Sequence, residues 1–276
     1  MIHETIDLSG DGRVTLVTYL HEDYDEVFSR FQPKSRPAII VLPGGAYGFL
    51  SEREGEPVAL TFLKEGFQTF VLNYSVGDFS VFPNPLDDIS KAIWEVRRRA
   101  KEWHIDPDAI IPMGFSAGAG VAALAATQWN TPGLAERLGI PEGGNKPNGA
   151  VLGYGAARNS TITDDPEAYQ PPFLGKIAKD RTPQLEFPDY VGPHTPPLFI
   201  WCTRYDKYVP LANKLMMAQA MQDFDLPYEL HIFQHGQHGM SVSNQLSAYG
   251  DPEHQNPSVA QWVPLCVSWL QQQFLF

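Results

Sequence analysis

Strand-like and helix-like segments alternate along almost the whole of this 276-residue chain. Short runs rich in Val, Ile, Leu and Phe are separated by longer segments whose apolar residues recur every three or four positions. Strands buried on both faces of a parallel sheet read as such continuous apolar runs. The order therefore predicts an α/β fold with a mostly parallel central sheet and helices on both faces. The predicted strands are residues 14–20, 37–43, 67–76, 109–116, 149–156, 197–203 and 228–234.

The helices between these strands carry different signals. The clearest is predicted over 85–103, where acidic residues open an amphipathic pattern and basic residues close it, as the helix dipole favours. Residues 51–66 are predicted as one helix, because Ser51 and Glu54 fit the S-x-x-E capping box. Pro264 is expected to start or kink the C-terminal helix.

Composition and charge limit the classes of function. Hydrophobic residues make up 43% of the chain and charged residues 19%, which is enough apolar material for a sizeable core. The net charge of −12 argues against nucleic acid and anionic membranes as main partners. No stretch reaches the roughly 18 apolar residues of a membrane span.

The N-terminal segment and the cysteines indicate a compartment. "MIHETIDLSGDG" has neither the basic start nor the apolar run of a signal peptide. Cys202 and Cys266 lie in apolar surroundings and belong to no metal-ligand cluster. We therefore expect a cytoplasmic protein with buried free thiols, no metal and no cofactor.

One segment interrupts the alternation of strands and helices. Residues 157–196 are rich in proline and hold scattered aromatic residues, among them Phe173, Phe187 and Tyr190. A long irregular insertion of this kind is more often a lid or a binding loop than a second domain. We expect residues 1–276 to form a single domain with a cap or lid at about 157–196.

The motif G-x-S-x-G occurs once, in "GFSAG", where a predicted strand meets a predicted helix. At such a junction a serine sits on a sharp turn with its hydroxyl above the sheet, and Gly114 and Gly118 supply the small neighbours that the turn needs. A glycine-rich turn without function is the alternative. The strand-then-helix context favours Ser116 as a nucleophile.

A serine nucleophile needs a histidine base and a carboxylate, which follow a turn of this type in the order acid, then histidine. His235 and His238 both follow the last strand, and the glycines on each side of His238, Gly236 and Gly239, indicate a tight, exposed loop and favour His238. Asp206 comes just after the strand 197–203, at the edge of the sheet where catalytic loops gather. Asp223 and Asp225 close a helix and are expected at the opposite edge.

The same chemistry needs backbone amides that face the developing oxyanion. "LPGGAYGF" follows the strand 37–43, which is where such a loop belongs. We expect the amides of Gly45 and Ala46, with that of Ala117, to form the oxyanion hole. Which two of residues 44–46 point inward stays open at this point.

These stretches resemble the α/β-hydrolase esterases of the hormone-sensitive-lipase-like group, in particular the bacterial acetyl-esterase and acetylxylan-esterase branch. "PGGAYGFLSEREGEPVA", "VLNYSVG", "GFSAGAG", "TPPLFIWCTRYDKYVP" and "FQHGQHGMS" match in order over nearly the whole chain. The group's H-G-G-G reads "PGGA" here, so Pro43 and Ala46 depart from it, although backbone donors survive both changes. The resemblance implies an α/β-hydrolase fold with Ser116, Asp206 and His238 as the triad.

The resemblance also implies an activity and partners. It implies a serine carboxylesterase that cleaves short-acyl esters of small molecules, including acetyl groups on sugars or xylo-oligosaccharides, without cofactor. Gly44, Tyr47 and Tyr205 are expected in the substrate pocket, where aromatic rings would pack on a sugar; ordinary packing is the alternative. The family often forms dimers or larger oligomers.

Three other functions stay open. A peptidase of the prolyl-oligopeptidase type shares the motif, but it carries a large extra domain for which this chain has no room. An aryl-formamidase shares both scaffold and chemistry. A binding protein that kept the fold and lost catalysis is the third, because fold alone does not fix function.

Overall fold

A computed structural model gives the architecture and describes residues 1–22, 35–159, 176–179 and 183–274. Within these ranges a single eight-stranded sheet runs through the molecule. Its strands are β1 Thr5–Asp7, β2 Thr15–Tyr19, β3 Arg36–Leu42, β4 Gln68–Asn73, β5 Ile105–Phe115, β6 Ala150–Gly153, β7 Leu198–Thr203 and β8 Tyr228–Phe233. Each of the seven strands expected from the sequence is present.

Helices connect most of these strands. They are α1 Glu56–Leu63, α2 Asn84–Arg98, α3 Ala117–Gln128, α4 Leu134–Leu138, α5 Ala212–Asp223, α6 Gln245–Ala248 and α7 Trp262–Phe274. Pro264 lies in the first turn of α7, where its missing N–H has no helical partner to lose.

The strand order across the sheet is β1-β2-β4-β3-β5-β6-β7-β8. The β1–β2 and β2–β4 pairs are antiparallel, whereas β4, β3, β5, β6, β7 and β8 are paired in parallel in that order. The expected α/β fold is thus confirmed. The carboxyl ends of β3, β5, β6 and β7 lie side by side, with Leu42 opposite Gly114 and Phe115 opposite Gly153. The loops that follow these strands therefore meet at one edge, as in other open α/β sheets.

Both faces of the sheet are covered. On β3, Ile40 and Leu42 belong to one core with residues of α2, α3 and α5, whereas Ile39 and Val41 belong to the other with α1 and α7. In the second core Trp201 stacks on Trp262, with ring centroids 4.8 Å apart. Aromatic pairs of this kind contribute about 0.5–1.5 kcal/mol beyond the area they bury.

The segment 51–66 differs from the expected single helix. Residues Glu52–Glu54 form a 3₁₀ turn, α1 begins only at Glu56, and the Ser51 side chain makes no capping hydrogen bond. The reason is that the Glu54 carboxylate is buried and accepts hydrogen bonds from the Gly44 amide and from the distant Tyr154 hydroxyl, so it does not cap the helix. The capping-box interpretation of Ser51 and Glu54 was therefore wrong.

The proline-rich segment 157–196 is described only in part, since residues 160–175 and 180–182 lie outside the described ranges. Its described portions include 3₁₀ turns at Pro183–Leu185 and Phe187–Tyr190. Leu185 and Phe187 are each 1% exposed and pack in the core beside α3. Whether the segment acts as a lid stays a prediction.

The two cysteines behave as expected. Cys202 on β7 and Cys266 on α7 are both free and buried. Burial raises the pKa of the Cys202 thiol to about 11, so it stays protonated near neutral pH. No helix within the described ranges is both long enough and apolar enough to cross a membrane.

Candidate active site

Ser116 occupies a strained turn between β5 and α3. Its backbone has φ 52° and ψ −116°, in the half of φ space that non-glycine residues rarely adopt. A Cβ atom at Gly114 would lie 2.1 Å from the carbonyl oxygen of Gly118. A Cβ atom at Gly118 would lie 2.0 Å from the carbonyl oxygen of Leu42. The two glycines are therefore required by backbone contacts, and the turn raises the serine hydroxyl above the edge of the sheet.

The structure brings Ser116, His238 and Asp206 together. Ser116 Oγ lies 2.7 Å from His238 Nε2, and His238 Nδ1 lies 2.8 Å from Asp206 Oδ2. An ionised carboxylate can only accept hydrogen bonds, so Nδ1 carries the proton and Nε2 of the neutral ring accepts from the serine hydroxyl. This geometry can take the serine proton and stabilise the resulting imidazolium.

Asp206 is held in place from several sides. Its side chain has no exposed area, and its Oδ1 accepts hydrogen bonds from the amides of Tyr208 and Val209 at 2.9 and 3.0 Å. Burial alone would raise the pKa of this carboxyl. The hydrogen bond and charge of His238, the Val209 amide and the charge of Lys214 outweigh burial and hold the pKa below its ordinary value. Asp206 therefore stays ionised opposite the histidine.

Lys214 on α5 was not singled out in the sequence. It is 2% exposed, and its ammonium donates to the Val209 carbonyl at 2.9 Å. Burial lowers its pKa, while the charge of Asp206 opposes that shift. Its position could have been noticed, because Lys214 shares the buried helical stripe of Met217, Ala218 and Met221.

Two tyrosines flank the His238 ring edge-on. Tyr154 follows β6, and its ring centroid lies 5.1 Å from that of His238. The Tyr208 ring lies 5.3 Å away on the loop between β7 and α5 that carries Asp206, called the acid loop below. Tyr154 is 1% exposed, whereas Tyr208 is 53% exposed. The imidazole thus packs against the buried Tyr154 ring and against the solvent-exposed Tyr208 ring.

The loop after β3 lies against the nucleophile. Its residues Gly45, Ala46 and Tyr47 all have positive φ values, of 125°, 53° and 59°. Hydrogen bonds hold its carbonyls: Ser51 N–H donates to the Gly44 carbonyl and Gly48 N–H to that of Gly45. Such strain persists only where the surroundings fix the backbone, and it is frequent at functional sites.

The amides of this loop divide into engaged and free groups. Gly44 N–H donates to Glu54 Oε2 at 2.8 Å and therefore does not face the reaction centre. Within the described residues, the amides of Gly45, Ala46, Tyr47 and Ala117 donate to no protein group. Those of Gly45, Ala46 and Ala117 are the three expected at the oxyanion hole.

The expected pocket residues have different positions. Tyr205 is 62% exposed on the acid loop. Tyr47 is only 6% exposed and its hydroxyl lies over Gly120 of α3, where a Cβ atom would be 2.0 Å away. Tyr47 is thus a core residue and offers no ring face to a sugar, contrary to our expectation. Gly44 lies against Ser116, because a Cβ atom at Gly44 would be 2.9 Å from that of the serine.

The alternatives to the triad residues lie elsewhere. His235 is exposed and bonds neither Ser116 nor Asp206 among the described contacts. Asp223 ends α5 and Asp225 follows it, just before β8 begins at the opposite edge of the sheet. In the part of the chain that the structure describes, no three His, Cys, Asp or Glu side chains are grouped so that they could hold a metal ion.

Solved structures share this architecture. The carboxylesterase Cest-2923 from Lactobacillus plantarum WCFS1 is 27% identical, with a TM-score of 0.84 over 100% of this chain and 98% of that one. An acetyl ester-xyloside bifunctional hydrolase from Caldicellulosiruptor lactoaceticus is 30% identical, with a TM-score of 0.76 over 98% and 96% of the two chains.

Sequence comparisons agree with the structural ones. An acetylxylan esterase from Xylanibacter ruminicola is 30% identical over 85% of this chain. The chain spans 45% of that relative's length, and less than half the length of two other curated relatives that it matches. The family model named BD-FAE matches residues 27–221, which is more than half of the chain. With the fold and these matches together, the chain belongs to the BD-FAE family of α/β hydrolases.

Proposed function

We propose that this protein is a serine carboxylesterase in which Ser116 is the nucleophile, His238 the base and Asp206 the acid that orients it. One observation carries the proposal: Ser116 Oγ lies 2.7 Å from His238 Nε2, whose ring is fixed through Nδ1 by a buried carboxylate. A serine hydroxyl is a weak nucleophile by itself and needs such a base. The carboxylesterase and acetyl ester hydrolase among its structural neighbours support the same chemistry.

Hydrolysis proceeds in two steps. In the first, His238 Nε2 takes the Ser116 proton while Oγ bonds to the ester carbonyl carbon, and the imidazolium then gives that proton to the departing alcohol oxygen. In the second, water attacks the acyl-enzyme, His238 accepts a water proton, and the proton returns to Ser116 Oγ as the acid is released. The ionised Asp206 stabilises the imidazolium in both steps.

The free amides supply the electrostatic part of catalysis. The carbonyl oxygen becomes negative as Oγ attacks, and in this proposal it accepts hydrogen bonds from the N–H groups of Gly45, Ala46 and Ala117, which have no acceptor among the described residues. Preorganised donors of this kind act mainly on the transition state, and losing one typically costs about 2.7–4 kcal/mol of barrier.

The substrate we propose is a short-acyl ester, with acetyl groups on sugars or xylo-oligosaccharides as the natural form. The names of an acetylxylan esterase and an acetyl ester-xyloside hydrolase among the similar proteins support it. Two exposed rings on the loop that carries Asp206, that of Tyr208 beside His238 and that of Tyr205, offer apolar surface on which a sugar can pack.

We further propose that the protein works in the cytoplasm, since a reducing compartment suits its two free, buried cysteines. Fractionation of the native host's cells checks this directly. The oligomeric state that the resemblance implies stays a prediction, and light scattering measures it.

The test is a substrate panel with wild type and Ser116→Ala. It contains p-nitrophenyl acetate, butyrate and octanoate, an acetylated xylo-oligosaccharide, an N-formyl arylamine and a proline-amide reporter. The proposal predicts ester cleavage that falls with acyl length, acetate release from the sugar, and loss of both in the variant. Cleavage of the amide or formamide reporters without ester hydrolysis would contradict it, as would equal activity of wild type and variant.

A further inference from the structure

Glu54 is a buried carboxylate that the proposed chemistry does not use. It is 4% exposed and ends the Glu52–Glu54 turn, which follows the loop of Gly45 and Ala46. A buried carboxylate is costly unless hydrogen bonds satisfy it. Both of its partners, Gly44 and Tyr154, belong to segments that touch the triad or its oxyanion hole.

One oxygen of Glu54 fixes the oxyanion loop. Oε2 accepts the Gly44 N–H at 2.8 Å, a hydrogen bond strengthened by the charge of the acceptor. The carboxylate and the nucleophile both pack against Gly44: a Cβ atom there would be 2.6 Å from Glu54 Oε2 and 2.9 Å from Ser116 Cβ. The Gly44 N–H is held by Glu54 and the Gly44 carbonyl by the Ser51 N–H, so both peptides that flank Gly44 are fixed, and the next two amides, those of Gly45 and Ala46, have no acceptor among the described residues.

The other oxygen reaches the histidine loop. Tyr154 Oη donates to Glu54 Oε1 at 2.6 Å and accepts the Ser241 N–H at 3.0 Å. Burial, with the charge of Glu54, raises the pKa of Tyr154 well above its ordinary value, so the phenol stays a proton donor. The Tyr154 ring packs against His238, and Ser241 lies three residues after it in the chain.

The same turn holds the histidine loop from a second side. The Arg53 guanidinium donates to the carbonyl of Gly239 at 3.0 Å, and Ser241 Oγ donates to the Arg53 carbonyl at 2.6 Å. Residues 53 and 54 thus connect the loop that carries the oxyanion amides with the loop that carries His238.

We propose that Glu54, through Gly44 and Tyr154, is a positioning residue for ester hydrolysis that sets the oxyanion amides and the His238 ring at fixed places around Ser116. This role rests on the function proposed above. It goes beyond that function, because the triad and the oxyanion amides do not themselves explain what keeps a strained loop aligned with a histidine from another part of the chain.

A second tyrosine–glutamate pair includes Glu56, which lies two positions after Glu54 and is exposed rather than buried. Tyr19 Oη donates to Glu56 Oε2 at 3.1 Å, so the same two chemical groups meet there. That pair joins β2 to the start of α1 and contacts neither site loop among the described hydrogen bonds. Glu56→Gln and Tyr19→Phe are therefore controls for Glu54→Gln and Tyr154→Phe.

The experiment measures kcat and KM for p-nitrophenyl acetate, the affinity for a trifluoromethyl ketone, and thermal stability in all four variants. Glutamine keeps the shape of Glu54 but presents an amide nitrogen to one of the two donors. Displacing an oxyanion donor should lower kcat of Glu54→Gln on the order of 10²-fold, with little change in KM.

The ketone forms a tetrahedral adduct whose oxygen sits in the oxyanion hole, so its affinity should fall in parallel. Tyr154→Phe should change in the same direction, and the controls should keep wild-type kcat.

Several results would overturn the role. A folded Glu54→Gln variant with wild-type kcat would do so. An equal loss of kcat in Glu56→Gln would do so as well, and so would a loss of kcat in Glu54→Gln without a loss of affinity for the ketone. If Glu54→Gln fails to fold, Tyr154→Phe decides alone, because it removes a single oxygen and keeps the ring beside His238. A wild type that neither cleaves esters nor binds the ketone refutes the proposed function, and the role of Glu54 falls with it; an active wild type with an unaffected Glu54→Gln refutes the role alone.

Discussion

The α-carbon of Gly118 faces the carbonyl oxygen of Leu42 so closely that an added Cβ atom would lie 2.0 Å from it. Leu42 ends β3 and Gly118 is the second residue of α3. The first turn of α3, which follows Ser116, therefore packs directly against the end of β3, which precedes the loop of Gly45 and Ala46. Any side chain at position 118 separates these two elements.

Replacing Gly118 tests this contact. Because the obstacle for Gly118→Ala is backbone rather than a flexible side chain, we expect a loss of about 1–3 kcal/mol in the free energy of unfolding, measured by urea denaturation. The control is Gly192→Ala, whose added Cβ would meet only the imidazole of His194, at 3.2 Å. Equal stability of the two variants would show that the helix can shift freely.

Replacing Asp206 by asparagine tests the orientation of the histidine. Asparagine offers His238 Nδ1 either a carbonyl or a donor and no longer stabilises an imidazolium, so we expect kcat to fall about 10⁴-fold for p-nitrophenyl acetate. Circular dichroism provides the check that the variant is folded. Retention of wild-type kcat would remove Asp206 from the mechanism.

The lowered pKa of Asp206 also predicts how stability depends on pH. The pKa in the folded protein lies below the ordinary value of 3.8, so the ionised carboxylate stabilises the fold above that value. This contribution is lost as the pH falls through the folded-state pKa. Urea unfolding of wild type and Asp206→Asn should therefore show a difference that narrows below about pH 4. A difference that stays constant from neutral to acidic pH would contradict the assignment.

The exposed ring of Tyr205 is expected to contribute to the binding of sugar esters and not to the binding of small aryl esters. Removing it in Tyr205→Ala should raise KM several-fold for an acetylated xylo-oligosaccharide and leave KM for p-nitrophenyl acetate unchanged, because only the sugar reaches the rim. Phe224→Ala is the matched control, since Phe224 is 50% exposed next to the end of α5, at the opposite edge of the sheet. If KM rises equally for both substrates, the Tyr205 ring stabilises the acid loop and does not bind the sugar.

The fold and the triad residues were accessible from the sequence because their signals are local. Continuous apolar runs mark strands such as β3 and β7, which are buried almost throughout. The glycines around Ser116 are dictated by contacts within a few residues and with one neighbouring strand. Chain order then limits the candidates for the histidine and the carboxylate to the loops after the later strands, because loops that follow parallel strands meet at one edge of the sheet.

Glu54 and Tyr47 could not be placed in the same way. Glu54 fits a capping box by spacing, but its hydroxyl partner is Tyr154, 100 positions away, and such a tertiary contact overrides the local pattern. Tyr47 stands in a loop that looks solvent-facing, yet the absence of a side chain at Gly120 admits its ring into the core. In both cases the deciding atom belongs to a distant segment.

The most direct test of the central claim is to label the native protein with a fluorophosphonate and identify the modified residue by mass spectrometry. Ser116, activated by His238 at 2.7 Å, is expected to carry a single label, and labelling should abolish ester hydrolysis in proportion. The Ser116→Ala variant should take up none. A label on another residue, or full activity in protein that is labelled at Ser116, would contradict the account.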